Sequence, residues 1–128
     1  MACFVVPAGE AVVTTIVKRR LEKAEAQQGG HPTKEGLPSL SRKLSWLNTM
    51  LWGGSGLLAL EHVWHGEVIF TPPFLTAMSN AEDTVEMLHE MSTVGVGMAV
   101  LVTCVWALGC LAIDHAAGMR KALLGETA

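Results

Sequence analysis

The residues able to do chemistry fall in two short groups. Leu60-Glu-His-Val-Trp-His-Gly66 carries Glu61, His62 and His65, and Glu86-Met-Leu-His-Glu90 carries Glu86, His89 and Glu90. A helix turns about 100 degrees per residue, so spacings of three and four put each group on one helical face. Carboxylate and imidazole on one face are donors for a divalent metal, and Glu-x-x-His pairs occur on the helices of carboxylate-bridged di-iron bundles. Facing histidines, His62 or His65 with His89, equally suit the axial positions of a haem. Histidine also titrates near neutrality, which fits a proton or ion relay. The bland alternative is a hydrogen-bonded network that fixes the register of two helices at a membrane boundary. These spacings name residues without choosing among the four, so the cofactor, a divalent metal or a haem, stays open. Met87 and Met91 add thioethers that suit Cu(I), against their ordinary use as gap-fillers in apolar helices.

These groups sit at the edges of apolar segments. Leu44 to Leu60 is 17 residues without a charge, and Met91 to Ile113 is 23. At 1.5 Å per residue the second reaches about 34 Å, enough for a bilayer core of roughly 30 Å, and the first reaches it when continued to Trp64. Trp46 and Trp64 fall near the two ends of the first segment, as in an aromatic belt. The sequence therefore predicts an all-α integral membrane protein, a transmembrane hairpin of two spans. The organisation expected is an apolar, amphipathic N-terminal helix over 1–25, a Gly/Pro linker over 26–41, a first span over 42–65, an apolar connection over 66–78, a second span with a polar N-terminal extension over 79–115, and a tail over 116–128. Pro7 and Gly9 break the first segment, and Glu10 near its middle argues that it lies at the membrane surface rather than crossing. The competing reading is a short extra span with its N-terminus outside. His31 belongs to the linker as a solvated residue. Ser79 and Glu82 have the spacing of a capping box. Asp114-His115 closes the second span as a cap.

Every Lys and Arg lies before residue 44 or after residue 119, and the connection between the spans has none. The positive-inside rule then puts the protein in the cell membrane as a multi-pass chain with both termini cytoplasmic. Taking Lys43 and Asp114 as one inner boundary puts residue 65 level with about residue 92. Gly53 and Gly56 on the first span, with Gly95 and Ala99 on the second, offer small surfaces for close packing.

Composition narrows the function. The net charge is −3, which excludes the basic field of a nucleic-acid binder. Three cysteines, Cys3, Cys104 and Cys110, have no metal spacing and their odd count suggests no disulfide framework. Phosphate loops, nucleophile elbows and Cys-x-x-Cys are absent, so the chain alone is not expected to be an enzyme. The leading expectation is an accessory or assembly subunit, in contact with lipid and with copies of itself or other membrane subunits. The alternative is a metal- or haem-binding protein of electron or ion transfer.

Overall fold

The computed structural model describes residues 2–27, 29 and 37–125. Half of the 26–41 linker, including His31, lies outside the described residues. The fold is all-helical, with one isolated antiparallel bridge between Val68 and Leu75.

Helix α1 runs Val5–Gln27 and α2 runs Leu40–Trp64. Pro7 does not break α1, because it lies in the first turn, where its missing N–H would have no helical partner. Ser39 caps α2, its hydroxyl accepting from the Arg42 N–H at 3.3 Å. At the other end Gly66 takes φ +72, and the Glu67 N–H reaches back to the His62 carbonyl at 2.9 Å. This is a glycine-terminated helix end in which a left-handed residue lets the chain turn away.

The last helix is one 43-residue rod, Ala81–Leu123. It consists of α3 (Ala81–Glu90), a single π-turn (Met91–Gly95) and α4 (Val96–Leu123). Its cap falls one residue later than expected: Asn80, not Ser79, accepts from the Asp83 N–H at 2.8 Å and donates to the Asp83 carboxylate at 2.7 Å. Ser79 instead ends a short 3-10 turn, Thr76–Ser79. The π-turn has a local cause. The hydroxyls of Ser92 and Thr93 both donate to the His89 carbonyl, at 2.9 and 2.8 Å, competing with the backbone ladder. Nor does the rod stop at Asp114-His115; it continues to Leu123, where Gly125 at φ +67 ends it.

The helices pack as three, not as a hairpin of two beside a separate amphipathic segment. α1 and α2 are antiparallel, with Cys3 beside His62, Thr15 beside Asn48 and Trp52, Lys18 beside Ser45, and Glu25 beside Ser41. α4 lies antiparallel to α2 and parallel to α1. Lys43 donates to both Asp114 oxygens at 2.7 Å, and the Trp106 indole N–H donates to the Lys43 carbonyl at 2.7 Å. Gly95 lies against Cys3 and Val6, and Glu10 against Thr103. The core has two parts. Ala11, Leu47 and Leu51 are buried with Leu44, Val102 and Trp106 around them. Ala2, Ala77 and Met87 form the second at the connection end, with Leu75 and Met91.

Of the expected spans, one is met: Ala81–Leu123 is the helix long and apolar enough to cross a bilayer. In α2 the polar side chains Ser45, Asn48 and Thr49 and the run Gly53-Gly-Ser-Gly56 dilute the apolar character.

Candidate functional site

The six expected ligands do not assemble. Glu61, His65, Glu86 and His89 are exposed, and Glu90 is half-buried. His62 alone is buried, and it turns inward to α1. Among the described residues no three His, Cys, Asp or Glu side chains come together as a metal-binding group. The histidine cluster expected at the helix ends thus finds no support among the described residues. The physical reason is the third helix. α1 covers the inward face of α2, so His62 meets Cys3 and Phe4 instead of His89. Met87 is likewise packed among Ala2, Ala77 and Met91 as an apolar filler.

What the fold builds instead is a set of polar contacts between the three helices, at three levels. At the connection end, the His62 Nδ1 lies 2.6 Å from the Leu58 carbonyl. A carbonyl only accepts, so Nδ1 carries the hydrogen and donates, which leaves Nε2 as the ring nitrogen turned away from α2. That atom faces the Cys3 thiol at 3.6 Å and the Glu67 carboxylate at 3.7 Å, and the Phe4 ring meets the imidazole edge at a centroid distance of 5.3 Å. The thiol fills the space as a weak donor.

In the middle, Asn48 is the polar centre of the α1–α2 contact. Thr15 Oγ1 donates to Asn48 Oδ1 at 2.8 Å, Thr14 Oγ1 lies 3.2 Å from the same oxygen, and the Trp52 indole donates to Thr15 at 3.2 Å. About one turn nearer the connection end, where α1 meets α4, Glu10 Oε1 is 2.5 Å from Thr103 Oγ1, which is also 2.9 Å from the Ala99 carbonyl. A groove of about 340 Å³ opens beside this pair, lined by Val96, Ala99, Val100, Thr103, Cys104 and Glu10 itself. At the far end sits the Lys43–Asp114 pair.

The packing residues divide by helix. Gly95 and Ala99 are buried, and a Cβ on Gly95 would lie 2.9 Å from the Cys3 carbonyl and from Val6. Gly53 and Gly56 face open space: a Cβ on either meets nothing within 4 Å.

Sequence reasoning missed Cys3, Asn48, Glu10 and Thr103 as interacting residues. The available signal was Glu10 itself, a carboxylate inside an apolar helix. Its partner was not legible, because Thr103 lies 93 residues away and its hydroxyl reads as an ordinary apolar-helix residue. Compared with known protein families, curated proteins and solved structures, the chain has no match.

Proposed function

We propose that this chain is a small integral membrane protein whose three helices lie together in the bilayer and which works as an assembly subunit, in a homo-oligomer or a larger membrane complex. In this reading the connection at 66–80 and the start of α1 face outward and the Lys/Arg-bearing end faces the cytoplasm. The N-terminus then lies outside and the C-terminus inside, which revises the expectation that both are cytoplasmic. The charge distribution supports it: no Lys or Arg occurs between residues 44 and 119, and the α1–α2 register brings Lys18, Arg19 and Arg20 to the same end as Arg42 and Lys43. So does the outer surface of α4, where Leu101, Leu108 and Leu111 are each about two-thirds exposed. In water each would forgo about 2 kcal/mol of burial; in lipid that cost vanishes.

The observation that carries the assembly role is the open glycine face of α2. Gly53, Gly54 and Gly56 meet nothing in their own chain. Each weakens a helix by about 1 kcal/mol relative to alanine in water, with no compensating contact inside the bundle. Small residues on a membrane helix are compensated when another helix packs closely on them.

The test uses that open space. The first side-chain carbon of a Leu at Gly53 or Gly56 has no described atom within 4 Å, so the monomer is expected to keep its fold. In mild detergent, native mass spectrometry of the wild type is expected to show an oligomer or a stoichiometric membrane partner. Gly53→Leu and Gly56→Leu are expected to reduce that association at least tenfold with helical content unchanged by circular dichroism. A wild type that is monomeric and partnerless, or variants that associate as well as wild type, would sink the assembly role.

A further inference from the structure

Glu10 is the one acidic side chain of α1 before Glu22, and the fold places it beside the middle of α4. Thr103 is within one residue of the midpoint of the charge-free stretch Met91 to Ile113. With α1 and α4 in the bilayer, as proposed above and on which this inference rests, the Glu10 carboxyl lies near the midplane. An ionisable group at that depth is costly unless it is paired or used. Among the described residues no cation pairs it. α2 and α4 carry no Lys or Arg between residues 44 and 119, and the nearest on α1 is Lys18, two turns away. The titratable neighbour at the groove is the Cys104 thiol.

The hydrogen count points the same way. Thr103 has one hydroxyl hydrogen and two oxygens at bonding distance, Glu10 Oε1 at 2.5 Å and the Ala99 carbonyl at 2.9 Å. It can donate to only one. The arrangement closes when Glu10 is a neutral acid: its O–H donates to Thr103 Oγ1, and Thr103 donates to Ala99. Thr15 has two similar acceptors, but there the Asn48 amide can turn its NH₂ towards the hydroxyl. Glu10 can do the equivalent only by carrying a proton.

The pair is not sealed inside the bundle. The 340 Å³ groove beside it is bordered by Val96, Val100 and Cys104, all exposed on the surface that faces lipid. We propose that Glu10 and Thr103 form an intramembrane proton-binding site, held as the neutral acid and reached sideways through this groove.

A lipid-soluble carbodiimide reads such a site directly. The protonated carboxyl adds across a C=N bond, its oxygen to carbon and its proton to nitrogen. The O-acylisourea then rearranges to a stable N-acylurea, so the protein gains the whole mass of the reagent with no redox change. The full chain in phosphatidylcholine vesicles at pH 7 is treated with dicyclohexylcarbodiimide or with a water-soluble carbodiimide, after washing with alkaline carbonate. The expected result is one adduct, mapped to Glu10, from the lipid-soluble reagent only. It is lost in Glu10→Gln and kept in Thr103→Val, whose protonated-carboxyl infrared band moves to higher frequency as its hydrogen bond is lost. Carbonate-resistant protein without the Glu10 adduct would overturn the proton site alone. Protein stripped by carbonate would overturn the membrane reading, and this site with it. Protection by sodium over potassium at equal ionic strength would assign the carboxylate to a metal cation and overturn the proton.

Discussion

Asn48 shows how little a single residue announces in sequence. It sits inside a 17-residue charge-free stretch, where it reads as a tolerated polar residue, and the fold makes it the acceptor for two threonines of another helix. The energetic consequence is modest, because both threonines have a second partner. The Ala11 carbonyl lies 3.0 and 2.7 Å from the Thr14 and Thr15 hydroxyls and can accept each hydroxyl hydrogen once the amide is gone. Removing the amide therefore strands neither hydroxyl, and the loss is that of a single inter-helix hydrogen bond, about 1 kcal/mol. Asn48→Leu is expected to lower the unfolding free energy in detergent by about that amount, measured by denaturant titration of helicity. A loss above about 3 kcal/mol would mean the threonines are left unpaired. His62 is the opposite case. Its presence at a special position was legible from its helical neighbours, but its direction was not. Residue spacing fixes a helical face; it does not say which neighbouring helix that face meets.

At the scale of elements, the legible part was the length of apolar runs and the charge boundaries between them. Lys43 and Asp114 mark one boundary in sequence, and they are bonded at 2.7 Å. The register that followed, residue 65 near residue 92, agrees with His62 and Gly95 both lying against Cys3. What the sequence concealed was the placement of α1. Pro7 and Gly9 read as breaks in the first segment and Glu10 as an argument against crossing a membrane, yet Pro7 falls in a tolerant first turn and Glu10 finds Thr103. The π-turn was equally hidden, because it depends on two hydroxyls choosing one carbonyl. It widens the rod just where α1 crosses, and Gly95 is the point of closest approach. A Cβ there would be 2.9 Å from backbone, which a flexible side chain cannot relieve. Gly95→Ala is expected to destabilise the bundle by about 1–3 kcal/mol, the usual range for overpacking. Gly97→Ala, two residues on and facing open space, is the matched control and is expected to be neutral or stabilising by up to about 1 kcal/mol. Thermal unfolding of the two variants side by side checks this; equal melting temperatures would mean α1 does not press on the π-turn.

For the whole molecule, the decisive matter is which way the bundle would sit. α1 and α4 run parallel, so the first residues of α1 and the last of α4 lie at opposite ends, with the 66–80 connection at the α1 start. A two-span hairpin with α1 on the inner surface would put residues 5, 26 and 122 all inside. A three-span bundle puts residue 5 outside with residue 71, and leaves 26 and 122 inside. The two arrangements differ at a single position, and Val5 is exposed enough to report on it. In a chain freed of its own thiols by Cys3→Ala, Cys104→Ala and Cys110→Ala, one cysteine is introduced at a time. Val5→Cys and Thr71→Cys are expected to react with a membrane-impermeant maleimide on intact cells, and Ala26→Cys and Ala122→Cys only after lysis. If Val5→Cys is shielded until the cells are broken while Thr71→Cys is not, α1 does not cross. The carboxyl of Glu10 would then sit at a water boundary, where it has no need of Thr103 and no reason to hold a proton.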